Sequence, residues 1–144
     1  LVLSTSGHEL LYDGVRRWVA DRNLDATAIV HVGADVASEA YGDGGVRSLA
    51  TSRVAFCGGS TAVEAVGEAL SPGAWSFVPE PDAWLGEGEV WCQTGSPLLS
   101  VTGAGPWFHT PQDTPSNSTS PDSLAVCAAA LGEAVEALDT AARG

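Results

Sequence analysis

Apolar positions crowd most densely over residues 26–34 (ATAIVHVGA), where polar side chains are nearly absent. Such a run reads as a central strand covered on both faces. Residues 1–6 (LVLSTS) read as a shorter buried strand opening into Gly7, and residues 97–102 (PLLSVT) as another. Between the first two strands the spacing changes. Leu11, Val15, Trp18 and Val19 stand at i, i+4, i+7 and i+8, which predicts a helix from about His8 to Arg22. Gly14 inside that helix costs about 1 kcal/mol against Ala.

Further along, residues 38–46 (SEAYGDGGV) predict a loop, and residues 47–56 hold one strand candidate. Ser60 is placed to cap a helix over 61–70, which Ser71-Pro72-Gly73 stops. A strand around 74–78 leads into an acidic loop over 80–89 (EPDAWLGEGE), and residues 103–120 predict a long structured loop. The last helix has the fullest set of start signals. Ser120 stands at N-cap, Pro121 at N1 and Asp122 in the first turn. Leu124, Cys127, Ala128, Leu131, Val135 and Leu138 follow as its apolar stripe. Strands alternating with helices predict an α/β layered fold with a largely parallel sheet.

Composition narrows the partners. Six basic residues, all Arg, stand against 18 acidic ones, a formal net charge of −12 over 144 residues. Nucleic acid and anionic membrane surfaces are therefore poor partners. Solubility is the ordinary meaning of an acidic surface, and attraction of cations is the other. An apolar fraction of 44% with five Trp excludes intrinsic disorder. No stretch approaches the roughly 20 apolar residues of a membrane span, and no signal-peptide pattern is visible, which leaves the compartment open. Cys57, Cys92 and Cys127 are an odd, widely spaced set without a Cys-x-x-Cys pair, as expected of buried free thiols; one bridge and one free thiol is the alternative in a secreted protein. The chain has no Met and opens on Leu1-Val2-Leu3, from which a C-terminal piece of something longer is expected.

In an open α/β sheet, ligands gather beyond the carboxyl ends of the strands. Three segments fall there: 7–9, 33–43 and 103–114. Gly7-His8-Glu9 lacks the second His that a zincin helix needs, because position 12 is Tyr12. Read alone, Glu9 is an ordinary acidic residue at a helix start. His31-Val32-Gly33-Ala34-Asp35 puts residues 31, 33 and 35 on one side of a strand. A hydrogen-bonded core histidine is the plain reading of His31, while Asp35 at the strand exit is a candidate ligand. Pro106-Trp107-Phe108-His109-Thr110-Pro111-Gln112-Asp113-Thr114 is the most informative stretch. Two prolines and a TxxDT run brace a loop that presents one imidazole, as a metal ligand is often held.

The strand, the helix starting at a Glu, the apolar strand and then P-W-F-H-T-P-Q-D-T together resemble the zinc aminopeptidase and glutamate-carboxypeptidase-like metallopeptidases, peptidase family 28. The FHTPxDT loop followed by a helix near S-P-D-S-L is the most specific part. The resemblance runs over residues 1–144 and matches the C-terminal half of the family's catalytic domain. It implies a three-layer α/β/α sandwich around a mixed sheet, two zinc ions, and hydrolysis of peptide or small amide substrates. Carried over by position, Glu9 and His109 are metal ligands serving different ions of the pair. His8 occupies the general-base position. The next ligand, an Asp in the family, falls on Gly33, so Asp35 would reach back from two positions on.

Zinc sites use about three or four protein ligands. Residues 1–144 alone are therefore expected to bind no zinc and to show no peptidase activity. An N-terminal segment or a second chain is expected to complete the sheet and the site. The alternative is a fold relative without catalysis that serves as a binding or structural module.

Overall fold

A computed structural model of the protein describes residues 1–41, 47–49, 53–70 and 75–144. A 3-10 turn over His8–Leu10 is followed by α1 (Asp13–Ala20), β1 (Ile29–Val32), β2 (Glu39–Tyr41) and β3 (Arg47–Leu49). Then come β4 (Val54–Gly58), α2 (Thr61–Leu70), β5 (Ser76–Pro79), α3 (Gly88–Cys92) and β6 (Leu98–Thr102). A short helix α4 (Pro115–Ser118) precedes the long α5 (Pro121–Arg143). The fold is α/β.

Four strands form a mixed sheet in the order β1-β6-β4-β5. β1 runs parallel to β6 and β4 parallel to β5, while β4 and β6 are antiparallel. β2 and β3 make a separate antiparallel pair. Side chains alternate across a strand, so β6 feeds two apolar clusters. Leu99 and Val101 join Ala55 and Cys57 of β4, Val63 and Leu70 of α2, and Cys127, Ala134 and Leu138 of α5. Leu98 instead joins Val15 of α1 and Val90 and Trp91 of α3, with Trp18 and Ile29 against them.

The helices start where local chemistry dictates. The Ser60 hydroxyl accepts from Val63 N at 3.2 Å, and the Ser120 hydroxyl accepts from Ser123 N at 3.2 Å. Each satisfies one of the orphan donors of a first helical turn. Pro121 at N1 gives up an N–H that had no helical partner. The three thiols are free, with Cys57 and Cys127 buried and Cys92 half-buried.

Several elements differ from the sequence reading. Residues 1–6 form no strand: Leu1 and Val2 are exposed, and Ser6 lies against the start of α1, where its carbonyl accepts from Gly14 N at 3.0 Å. A Cβ at position 14 would stand 2.2 Å from that carbonyl, so glycine there permits a close approach of backbone to backbone. The helix expected over 8–22 is broken because Leu11 and Tyr12 adopt left-handed conformations (φ 57° and 63°). Two such residues cannot continue a right-handed helix. Residues 39–41 of the expected loop are strand β2, α3 begins inside the expected acidic loop, and α4 interrupts the expected loop 103–120. The run 26–34 yields β1 at an edge of the described sheet; β6 and β4 occupy its centre. Ser71-Pro72-Gly73, the tail of the 38–46 loop and the first residue of the 74–78 strand lie outside the described residues.

Candidate functional site

Two segments 100 residues apart meet beyond the sheet. The 3-10 turn carries Glu9, and the loop after β6 carries His109. His109 Nε2 and Glu9 Oε1 stand 3.8 Å apart, with side chains 63% and 79% exposed. The turn begins at Gly7 in a left-handed conformation (φ 76°), which glycine adopts without strain. His109 is left-handed as well, at φ 61°, which is uncommon for a residue with a Cβ. Its ring stacks on Phe108 with centroids 4.0 Å apart.

The loop that imposes this backbone is braced from within. Trp107 O accepts from Thr110 N at 2.9 Å and from the Thr110 hydroxyl at 2.6 Å. Thr110 O accepts from Asp113 N at 3.0 Å, and Gln112 O from Asn117 Nδ2 at 2.8 Å. The Ser118 hydroxyl donates to Asp113 Oδ1. These local bonds, two of them from side chain to backbone, fix a loop that has no ladder of its own.

The other candidates go elsewhere. Asp35, in the turn after β1, is half-buried, and its Oδ2 accepts from Gly105 N at 2.6 Å. It ties the 33–38 turn to the 103–105 loop. His8 turns its ring edge-on to Tyr12, with centroids 5.0 Å apart. His31 is buried, as a core histidine should be, with Nδ1 2.8 Å from the Ser100 hydroxyl. Burial holds its pKa below the ordinary value, opposed by the nearby Glu87 charge and reinforced by His8. At position 33 a Cβ would stand 2.9 Å from Thr102 Oγ1. A carboxylate cannot enter there unless Thr102 moves.

Two of the buried charged residues carried no signal in the sequence pattern. Glu39 is 6% exposed and accepts from the hydroxyls of Ser120 and Ser123, both at 2.5 Å, at the N-terminus of α5. Arg53 is 1% exposed and donates to Val36 O at 3.0 Å and to Cys127 Sγ at 3.2 Å. Its guanidinium also lies 4.9 Å from the centre of the Trp75 ring. Their partners are far away in sequence, so no spacing rule finds them.

An imidazole and a carboxylate are suitable zinc donors, and two donors on one tetrahedral ion stand about 3.3 Å apart. The Glu9–His109 pair therefore fits zinc in type, and its 3.8 Å separation suits one shared ion rather than the two separate ions that the resemblance implies. It does not fit in number. Among the described residues no group of three or more His, Cys, Asp and Glu side chains is arranged to hold a metal ion. Among the same residues no helix is long and apolar enough to cross a membrane. Compared with models of known protein families, with curated proteins and with solved structures, the chain matches none.

Proposed function

We propose that this chain carries part of the active site of a zinc-dependent, aminopeptidase-like hydrolase acting on peptide or related amide bonds. The observation that carries the reading is the 3.8 Å approach of His109 to Glu9. An exposed ion pair gives a fold little stability, about 0–1 kcal/mol. A braced loop and a left-handed histidine spent on such a pair suit ligand binding better than folding.

On this reading Glu9 and His109 are donors, and the remaining donors come from outside the described residues. Bound zinc would polarise the substrate carbonyl and lower the pKa of its water to about 7. By the resemblance the proton-transfer position falls on His8, whose ring packs edge-on against Tyr12 and would have to swing toward the pair to serve it. Asp35 holds the loop that presents His109 through its bond to Gly105 N.

The test loads the longest natural form of the protein with zinc, measures the bound metal by X-ray absorption and follows aminoacyl anilide hydrolysis. Imidazole ligation lost in His109→Asn, with turnover lost in Glu9→Gln, is expected. Zinc bound without dependence on either residue would end the reading. The crowding of Thr102 on position 33 favours a second reading, in which the fold is retained as a non-catalytic binding module. Turnover that disappears in Glu9→Gln would exclude it.

A further inference from the structure

We propose that Glu87, at the start of α3, is the positioning residue of the Glu9–His109 pair: it accepts the Thr5 hydroxyl proton and so holds the turn that carries Glu9 where His109 can meet it. The inference deepens the zinc-donor reading of that pair and rests on it for its catalytic purpose.

Glu9 does not place itself. Its side chain is mostly in water, and His109 is its charged partner among the described residues, at 3.8 Å. Where Glu9 stands is therefore set by the backbone of the 3-10 turn. That turn contains no buried residue, and Leu1, Val2, Leu10 and Leu11 around it are exposed. Apolar burial thus does little to order the segment, while fixing each residue costs conformational entropy. The backbone is strained as well. Leu11 and Tyr12, directly after the turn, are both left-handed. Such residues persist only where their surroundings over-determine them.

Two ties do so here. On the side of α1, Ser6 O accepts from Gly14 N at 3.0 Å. On the side of α3, the Thr5 hydroxyl donates to Glu87 Oε2 at 2.5 Å, across 82 positions. Among the described residues, this is the one hydrogen bond that links residues 1–12 to the molecule beyond α1. Glu87 is a firm anchor for it. Its carbonyl accepts from Val90 N at 2.9 Å and from Trp91 N at 3.1 Å, and those two side chains pack in one cluster with Leu98 of β6. Glu87 itself is only 8% exposed. A buried carboxylate is costly to the fold. Tethering a segment that buries so little suits placement of Glu9 better than stability.

The experiment records ¹H–¹⁵N spectra of the chain with and without Glu9→Gln. It needs neither zinc nor turnover, so its failure and that of the hydrolase reading are separate results. In the parent chain, Glu9→Gln should move the amides of Phe108, His109 and Thr110. In a Thr5→Val background, which keeps the branched side chain without the donor, the same change should move them less by about threefold or more. Thr5→Ser should restore the response, with the amides of β6 and α5 unmoved throughout. Should Thr5→Val not fold, Glu87→Gln, which keeps an acceptor without the charge, carries the comparison with the response about halved. An undiminished response in a folded variant, an equal loss in Thr5→Ser, or no response in the parent chain would overturn the proposal. So would Thr5→Val shifts that spread through β6 and α5.

Discussion

The N-terminus of α5 and the tip of the 103–114 loop both join a carboxylate to a partner 80 or more residues away, yet in opposite surroundings. Glu39 is almost wholly buried and receives two serine hydroxyls at a helix start, where the helix dipole favours its charge. Glu9 meets His109 in the open, over a longer distance and on a strained backbone. Buried, a carboxylate with good donors is costly to lose, because the groups left behind are unsatisfied. In water the same kind of pairing is screened and weak. The first contact belongs to the stability of the fold, and the second is free to be made and broken by a ligand.

The largest effect is expected at the buried end. Glu39→Ala should lower unfolding stability by about 2–3 kcal/mol, since it takes away the acceptor of the Ser120 and Ser123 hydroxyl protons and a tie between β2 and α5. Urea denaturation checks this through a fall in midpoint at unchanged slope. A loss below about 0.5 kcal/mol would erase the contrast between the two regions.

His31 sharpens the contrast by a smaller, pH-dependent effect. Its folded pKa lies below the unfolded value of 6.5, because burial disfavours the imidazolium more than Glu87 favours it. The unfolded chain therefore takes up the proton first as pH falls. This group's contribution is complete above pH 6.5 and is lost as pH falls through the folded pKa, by at most about 1.4 kcal/mol per pH unit. His31→Asn should flatten that part of the acid limb in melts between pH 7 and pH 4.5. An unchanged limb would mean that other groups set it.

What could be read from sequence divides along similar lines. α2 and α5 were legible because their signals are local: Ser60, Ser120 and Pro121 act on backbone groups within one turn. The α/β class followed from strands alternating with helices. The break at Leu11 and Tyr12 was not legible, since neither is a residue type that favours the left-handed region. Nor was the pairing of β4 with β6, whose antiparallel register joins Val54 to Thr102 across 48 positions. Segments 7–9 and 103–114 were expected beyond the sheet from the strand-end rule, and the structure brings their Glu9 and His109 side chains together. The anchoring of Asp35 by Gly105 N and the crowding at Gly33 depend on atoms from β6 and the loop after it. Periodicity carries no trace of such contacts.

The smallest expected effect concerns the pair itself. Glu9→Gln, His109→Asn and the double variant form a cycle whose coupling energy for folding should be about 0.5 kcal/mol or less at neutral pH. Both side chains are mostly in water, and the ion pair exists only while the imidazole is protonated. Gln keeps the size of Glu and a hydrogen-bond acceptor, so packing is not disturbed by the change. Paired urea titrations at low and at 0.5 M salt separate the charge term, which screening should remove. A coupling above about 1.5 kcal/mol that persists in salt would place Glu9 and His109 with Glu39, as a folding contact. The strain at His109 would then be explained by the fold alone, with no ligand required.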